Sequence, residues 1–255
     1  MDLSTLFSLE GKVALITGAS KGIGFSIAEV FAAAGAKVVI CSRKQEALDE
    51  MANQLKSKGY EATGIACNVG NMDELPDLVA KTVAQYGQLD ILVNNAATSP
   101  VFGPVHETSP DAFDKIMNVN LKAPFELAKL CRPHLRKSAN ASVINISSIG
   151  GISPEHGLGI YSVSKAALIS LTKVLAKEWG EAEIRVNAIC PGLIETKFSE
   201  PLWNNEKIMS MVMKKLAIKR VGSAQEIGAM ALFLASPAAA YVTGSVFTAD
   251  GGFTI

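Results

Sequence analysis

The segment KVALITGASKGIG, residues 12–24, decides the fold because it joins a short apolar run to a glycine-rich turn. Residues 12–17 are too few and too apolar for an amphipathic helix, which predicts a buried strand. Glycines at 18, 22 and 24 permit positive φ and a close approach of the backbone to a bound group. The helix predicted next, over 23–34, would turn its N–H groups and positive dipole end towards a phosphate. The spacing is not G-x-G-x-x-G, so an ordinary glycine-rich turn remains an alternative.

The same alternation of strand and helix continues along the whole chain. Strands are predicted at 12–17, 37–41, 61–67, 90–93, 141–147, 184–189 and 245–248. Helices are predicted at 23–34, 44–58, 72–86, 110–136, 160–180 and 224–235. Strands that are apolar on both faces and alternate with helices indicate a parallel sheet covered by helices on each side. We therefore predict one doubly wound α/β domain over 1–255 with a seven-stranded parallel sheet, and a ligand site at the carboxyl ends of its strands.

Composition excludes several other classes of protein. Of the 255 residues, 49% are hydrophobic and 19% charged, which suits a large core and not a disordered chain. Basic and acidic residues number 24 each, so no nucleic-acid surface is expected. Four scattered cysteines and three histidines show no metal-ligand spacing, so we expect no metal and reduced thiols in a cytoplasmic protein. Residues 1–10 lack the pattern of a secretory signal, and the uncharged stretch 227–249 is broken by Pro237, so no membrane span is expected.

Three motifs in fixed order resemble the short-chain dehydrogenase/reductase family. They are TGASKGIG at 17–24, NNA at 94–96 and YSVSK at 161–165, and the resemblance extends to Pro191-Gly192 and Asp250-Gly251-Gly252. It implies a Rossmann-type fold that binds a nicotinamide cofactor. It also implies an oxidoreductase that transfers hydride reversibly between the nicotinamide and a ketone, aldehyde or secondary alcohol.

Tyr161 and Lys165 lie four residues apart in a predicted helix, so their side chains share one face. A nearby ammonium group stabilises phenolate and lowers the pKa of a tyrosine. Such a pair is usually a surface feature when it stands alone. The resemblance implies that Tyr161 is the general acid or base, and that Lys165 tunes it and binds the nicotinamide ribose.

Two further residues complete the catalytic group that the resemblance implies. Ser148 would polarise the substrate carbonyl; its neighbour Ser147 competes for that role, and the family's spacing from the tyrosine selects Ser148. Asn120 lies four residues before Pro124, whose missing N–H disturbs helical hydrogen bonding one turn upstream. In the family the matching asparagine binds a water in a proton relay. A plain helix-kink residue is the alternative for Asn120.

The predicted cofactor is NADP(H). Strand two ends in VICSR, residues 39–43, without the carboxylate that NAD-preferring folds place there. Arg43 offers a planar fork of donors to a 2′-phosphate, and the resemblance places Lys21 beside the same phosphate. Two solvated surface cations are the alternative. The resemblance assigns the rest of the cofactor site to Gly18, Ser20, Gly22, Ile23, Gly24, Ser42, Asn68, Val69, Asn95, Ala96, Tyr161, Lys165, Pro191, Gly192, Ile194 and Thr196.

The predicted function is reduction of a hydrophobic carbonyl compound beneath a lid at about 195–219, similar to the family's carbonyl and retinal reductases. A 3-oxoacyl-carrier-protein reductase is the alternative. Glu181 and Glu183 would repel an acidic carrier protein, whereas the basic residues Arg132, Arg136 and Lys137 would attract one. A dinucleotide-sensing binding protein without turnover is more remote, because such proteins commonly lose the tyrosine or the lysine. Apolar long helices and an apolar segment at 238–253 predict a homotetramer.

Overall fold

Seven apolar strands form one parallel sheet in the computed structural model, which describes residues 3–255. The strands are β1 Val13–Thr17, β2 Lys37–Ser42, β3 Ala62–Ala66, β4 Ile91–Asn94, β5 Ala141–Ile146, β6 Ile184–Pro191 and β7 Val246–Ala249. Their order is β3-β2-β1-β4-β5-β6-β7, and every neighbouring pair is parallel. The predicted doubly wound α/β class is confirmed. Met1 and Asp2, within the segment examined for a secretory signal, lie outside the described residues.

Helices cover both faces of the sheet. They are α1 Leu3–Leu6, α2 Gly22–Ala33, α3 Gln45–Ser57, α4 Leu75–Tyr86, α5 Pro110–Met117, α6 Ala123–Leu135, α7 Gly159–Trp179, α8 Glu200–Trp203, α9 Glu206–Lys215 and α10 Ala224–Ala235. On one face α2, α3 and α10 contribute Phe31, Leu55 and Leu234 to a buried apolar layer. On the other face α4, α6 and α7 contribute residues such as Leu127 and Leu175 to a second layer. Strands β1, β4, β5 and β6 are buried along their whole length, which explains why most of their residues are apolar.

The helix predicted over 110–136 is interrupted. Helix α5 ends at Met117, a π-helical segment covers Asn118–Lys122, and α6 begins at Ala123. Pro124 has no N–H to donate to the carbonyl one turn upstream, at Asn120, so the helical ladder shifts there. The continuous helix was therefore wrong, and the disturbance expected near Asn120 is confirmed.

Two apolar stretches are long enough to resemble membrane spans. The stretch 227–249 is divided among the end of α10, a 3₁₀ turn at Pro237–Ala239 and β7. Among residues 3–255, the helical stretch Gly159–Ala182 has the length and composition of a span, and its buried side packs on the sheet. All four cysteines are free and buried. No group of three or more His, Cys, Asp or Glu side chains within residues 3–255 is placed to hold a metal ion.

Candidate active site

The crevice at the carboxyl ends of β1 and β4 is the point where the strand order reverses. The glycine loop after β1 contacts the residues after β4 so closely that side chains are excluded. Gly18 has φ +66°, and a Cβ there would lie 2.8 Å from the Cα of Ala96. A Cβ on Gly24 would overlap the side chain of Asn95. These two glycines therefore bring the loop onto the Asn95-Ala96 segment, a contact that the sequence pattern did not predict.

The N-terminus of α2 faces this loop with free hydrogen-bond donors. Lys21 is the N-cap residue, yet no side chain caps the helix, and its first turn contains no acidic residue. Uncapped N–H groups at the positive end of a helix suit a pyrophosphate. Gly22, with φ +60°, leaves room for Thr196, whose Cγ2 would lie 3.3 Å from a Cβ at that position. The residues present therefore fit a dinucleotide, which Ser20, Gly22 and Ile23 would hold.

Asn95 and Thr17 connect the loop to β4. The Asn95 side-chain amide donates to the carbonyl oxygens of Thr17, at 2.8 Å, and Gly18, at 3.1 Å. In return, the Thr17 hydroxyl accepts hydrogen bonds from the backbone N–H groups of Asn95, at 3.0 Å, and Ala96, at 3.1 Å. Asn95 therefore holds the first two residues of the TGASKGIG motif in place through their carbonyl oxygens. Thr17 was not among the predicted site residues, although its hydroxyl stands at the start of the TGASKGIG motif.

Ser42 and Arg43 follow the carboxyl end of β2, and Lys21 lies in the neighbouring glycine loop. Arg43 and Lys21 are exposed, and neither forms an ion pair with any residue between 3 and 255. Two unpaired cations at adjacent strand ends provide positive charge where a 2′-phosphate would bind.

Asn68 and Val69 lie just beyond β3. The Asn68 side-chain oxygen accepts from the backbone N–H of Gly70 at 3.2 Å, and the Asn68 N–H donates to Glu74 Oε2 at 2.7 Å. Val69 is buried. The second lone pair of the Asn68 oxygen remains available for the adenine contact expected from the sequence.

Pro191, Gly192, Ile194 and Thr196 line the opposite side of the crevice, where β6 ends. Gly192 passes so close to Asp250 that a Cβ would lie 2.7 Å from the Cα of that residue. Ile194 is buried in the core, and its carbonyl oxygen accepts a hydrogen bond from the Ser199 hydroxyl. The Thr196 hydroxyl forms a hydrogen bond with Ser199 at 3.0 Å, which orders the chain as it enters the segment 195–219.

Tyr161 and Lys165 occupy adjacent turns of α7. Ser148, which follows β5, lies close to Tyr161. The Lys165 ammonium group lies 5.7 Å from the centre of the Tyr161 ring and donates to the carbonyl oxygen of Ile146 at 2.7 Å. Lys165 is 2% exposed, and this burial lowers its pKa to about 8. Most Lys165 side chains therefore still carry charge at neutral pH.

Burial raises the pKa of Tyr161 to about 12, and a hydrogen bond with Ser148 opposes that rise. The Ser148 hydroxyl also accepts from the backbone N–H of Gly150 at 3.1 Å, so its position is fixed. Phe198 covers the tyrosine from the segment 195–219, with 6.3 Å between ring centres. The structure thus brings Ser148, Tyr161 and Lys165 together, as expected from the sequence.

Ser147 uses its polar groups within the fold. Its hydroxyl donates to the Lys165 carbonyl oxygen at 2.8 Å, and its N–H donates to Ile189 at 2.7 Å. Cys190, which was not predicted as a site residue, contacts this corner: burial raises the pKa of its thiol, and hydrogen bonds with Ser147 and the Ser148 backbone oppose that rise. The geometry therefore favours Ser148 over Ser147 as the group available to substrate.

Asn120 is held entirely by protein groups. Its side-chain oxygen accepts from the Thr98 N–H at 2.8 Å. Its amide nitrogen donates to the Thr98 carbonyl oxygen and to the Ser164 hydroxyl, both at 3.0 Å. Both amide hydrogens are thus used, so a relay water bound to this side chain would donate to its oxygen, whose second lone pair Thr98 does not use.

Comparison with known proteins places these motifs in a family. The model of a family described as "Enoyl-(Acyl carrier protein) reductase" matches residues 18–254. Dehydrogenase/reductase SDR family member 4 from Bos taurus is 42% identical over 244 residues, which cover 96% of this chain and 88% of that protein. The chain belongs to the short-chain dehydrogenase/reductase family. Tropinone reductase-like 3 from Erythroxylum coca is 41% identical over 243 residues, 95% of this chain and 93% of that protein.

The fold of this short-chain dehydrogenase/reductase also matches solved structures over nearly its whole length. A gluconate 5-dehydrogenase from Burkholderia cenocepacia J2315, in complex with NADP and tartrate, superimposes with a TM-score of 0.95 at 30% identity, covering 99% of each chain. The family membership makes the protein an oxidoreductase. The roles of individual site residues remain predictions.

Proposed function

We propose that this short-chain dehydrogenase/reductase is an NADPH-dependent reductase of ketones or aldehydes that also runs in reverse on secondary alcohols. The observation that carries the proposal is the convergence of Ser148, Tyr161 and Lys165 at the sheet edge that also carries the uncapped N-terminus of α2. The NADP in the related gluconate 5-dehydrogenase and the two unpaired cations Lys21 and Arg43 support this cofactor.

The proposed chemistry divides between cofactor and protein. When bound, reduced nicotinamide supplies a hydride to the carbonyl carbon. The Ser148 hydroxyl donates a hydrogen bond to the substrate oxygen, and the Tyr161 phenol gives that oxygen its proton as negative charge develops. With a pKa of about 12, Tyr161 is protonated at neutral pH, the form that a proton donor requires. The Lys165 ammonium group, 5.7 Å from the ring, stabilises the phenolate left behind.

The segment 195–219 is proposed to cover a hydrophobic substrate. Phe198 on this segment reaches the Tyr161 ring, and Met211 on α9 is exposed. Phe102 and Ile152, on the two loops that border the same entrance, also expose apolar side chains. An apolar rim of this kind suits a substrate whose carbonyl is attached to hydrocarbon or aromatic groups.

Substitution of Tyr161 by phenylalanine tests the proposal. The variant keeps the ring and loses the proton donor, so kcat should fall by several orders of magnitude while NADPH affinity changes little. Steady-state kinetics on a panel of ketones and aldehydes, with NADPH binding measured by fluorescence titration, gives both quantities. Turnover within about tenfold of the parent, roughly 1.4 kcal/mol of barrier, would show that Tyr161 is not the acid.

A 3-oxoacyl-carrier-protein reductase is the second candidate, because the matching family model carries an acyl-carrier-protein description. Arg136 and Lys137 are exposed at the end of α6, where their positive charge would attract an acidic carrier protein. Arg132 is not counted in this docking surface, because its guanidinium packs over Trp179, 5.8 Å from the ring centre. The assay compares a 3-oxoacyl thioester on a carrier protein with the same thioester on pantetheine. A carrier preference above about tenfold in kcat/KM would favour the second candidate, and no turnover of any carbonyl would favour a dinucleotide sensor.

A further inference from the structure

We propose that Ser164 is a positioning residue for the reaction proposed above, on which this inference rests. Its hydroxyl group connects Asn120 to the backbone of Tyr161, and through Asn120 it fixes the loop around Thr98 that follows β4. Ser164 therefore acts on Thr98 through Asn120, with the Tyr161 carbonyl as its own anchor, and does not itself contact substrate.

The connection consists of four hydrogen bonds among three segments. The Ser164 hydroxyl donates to the Tyr161 carbonyl oxygen at 2.7 Å and accepts from the Asn120 amide at 3.0 Å. Asn120 then exchanges two hydrogen bonds with the Thr98 backbone, at 2.8 and 3.0 Å. Ser164 is completely buried and Asn120 is 1% exposed, so water does not compete for these partners.

Donor and acceptor roles in this connection follow from the backbone alone. The Thr98 N–H can only donate, which makes the Asn120 atom facing it the oxygen and the other atom the NH₂ group. That NH₂ group must donate to the Ser164 oxygen, so the single Ser164 hydrogen is left for the Tyr161 carbonyl. Each group thus has one consistent arrangement, and no member can be removed without leaving another unsatisfied.

Loss of the Ser164 hydroxyl would leave one Asn120 N–H buried without an acceptor. An unsatisfied buried donor is costly, so the Asn120 amide would rotate and weaken its pair of bonds to Thr98. Thr98 follows Asn95-Ala96 by two residues, so this side of the candidate site would loosen. Catalysis depends on sub-ångström placement of the proton donor, whereas the glycine loop that binds the rest of the cofactor is untouched.

The substitution Ser164→Ala tests this role, with Ser162→Ala as its matched control. Ser162 is also buried in α7, and its hydroxyl has no hydrogen-bond partner in the described part of the chain. We expect Ser164→Ala to lower kcat by about tenfold to a hundredfold with NADPH affinity within about twofold of the parent. The Ser162→Ala variant should stay within about twofold in both. Equal losses in the two variants would overturn the proposal.

A double-mutant cycle and hydrogen exchange separate positioning from general structural damage. In an Asn120→Ala background, Ser164→Ala should change kcat by less than about twofold, because its route to the site is already broken. Exchange of the Thr98 amide should accelerate in Ser164→Ala while β5 amides keep the parent's protection. Multiplicative losses of kcat, or unchanged Thr98 exchange, would refute the role of Ser164. Exchange needs no substrate, so absence of turnover in the parent would refute the proposed function alone.

Discussion

Lys165 is buried with a carbonyl oxygen as its hydrogen-bond partner, and it forms no ion pair within residues 3–255. Its pKa falls from 10.5 to about 8 on burial. Between these two pH values the unfolded chain binds more protons than the folded chain, so the free energy of unfolding rises with pH across that window. Below it, the charged form of Lys165 opposes folding. The site thus keeps an ammonium group near Tyr161 at the expense of stability.

The variant Lys165→Met should therefore unfold less readily than the parent near neutral pH, with its advantage shrinking as pH rises from about 8 towards 10.5. Urea unfolding of both proteins at about pH 7 and about pH 10 measures the difference, and groups common to both cancel. The same variant should lose turnover and bind NADPH more weakly, since the ammonium is assigned both roles. A pH-independent stability difference would contradict the buried, charged state of Lys165.

The proposed preference for NADPH also depends on single residues, at the end of β2. Without a carboxylate there, and with Arg43 and Lys21 unpaired, NADPH should be preferred to NADH by at least about tenfold in kcat/KM. The double variant Ser42→Asp, Arg43→Ala should reverse that preference, because the new carboxylate accepts from a ribose 2′-OH and repels a phosphate. Steady-state kinetics with both cofactors measures the ratio, and Lys44→Ala, one residue further along, should leave it unchanged. Equal use of both cofactors by the parent would remove Arg43 and Lys21 from the site.

Residues that act through local spacing were predictable, and residues that act through tertiary contacts were not. Tyr161 and Lys165 share a helical face by their separation of four, whatever the rest of the fold does. Ser164 and Asn120 are 44 residues apart, and Thr98 and Asn120 are 22 apart. No sequence pattern shows that their hydrogen-bonding groups meet, because the meeting depends on how the π-helical segment packs against α7.

At the scale of the element, α10 ends on a buried arginine. Arg185 on β6 donates to the carbonyl oxygens of Leu234, at 2.7 Å, and Ala235, at 3.4 Å, and Ser142 donates to Leu234 at 2.9 Å. The last carbonyls of a helix carry partial negative charge and lack helical partners, so a guanidinium there satisfies both needs. Burial lowers the pKa of Arg185 to about 10, which still leaves it charged at neutral pH.

The variant Arg185→Met should lower the free energy of unfolding by roughly 2–4 kcal/mol, because the Ala235 carbonyl loses its side-chain donor and the Leu234 carbonyl keeps only Ser142. NADPH affinity should stay near that of the parent, since Arg185 is remote from the strand ends that form the crevice. Urea unfolding and cofactor titration measure the two effects, with the exposed Arg136→Met as control. Parent-like stability of the Arg185 variant would show that the end of α10 needs no cap.

The short helices α8 and α9 were not predicted, for a physical reason. Helix α8 has only four residues, and α9 carries apolar side chains but buries none of them, so neither is marked by a strong apolar core face. The start of α9 is fixed instead by its N-cap residue Asn205, whose side chain accepts from the N–H groups of Lys207, at 3.1 Å, and Ile208, at 3.2 Å. The strands, by contrast, were recognisable because burial on both faces requires continuous apolar runs.

At the scale of the whole molecule, the alternation of strands and helices was enough to predict the parallel sheet and the edge that carries the site. Right-handed crossovers leave few orders for such a sheet, and all carboxyl ends then share one edge. Assembly is a different matter, because one chain does not show what covers its outer faces. The homotetramer expected from the sequence therefore remains a proposal, which the exposed apolar residues of α5, α6 and α7 support.

Val163 and Val174 are 52% and 47% exposed, and their separation of eleven residues places them on one face of α7. Phe113 and Phe125 are exposed on the neighbouring helices. A two-fold contact through this surface and a second through the apolar segment 238–253 would close a tetramer, so light scattering should give about four chain masses for the parent at micromolar concentration. The variant Val163→Glu should give a smaller assembly, since it places a charge in the contact, whereas Met211→Glu in the segment 195–219 should not. A parent that scatters as a single 26.9 kDa chain would show that this apolar face stays open to solvent.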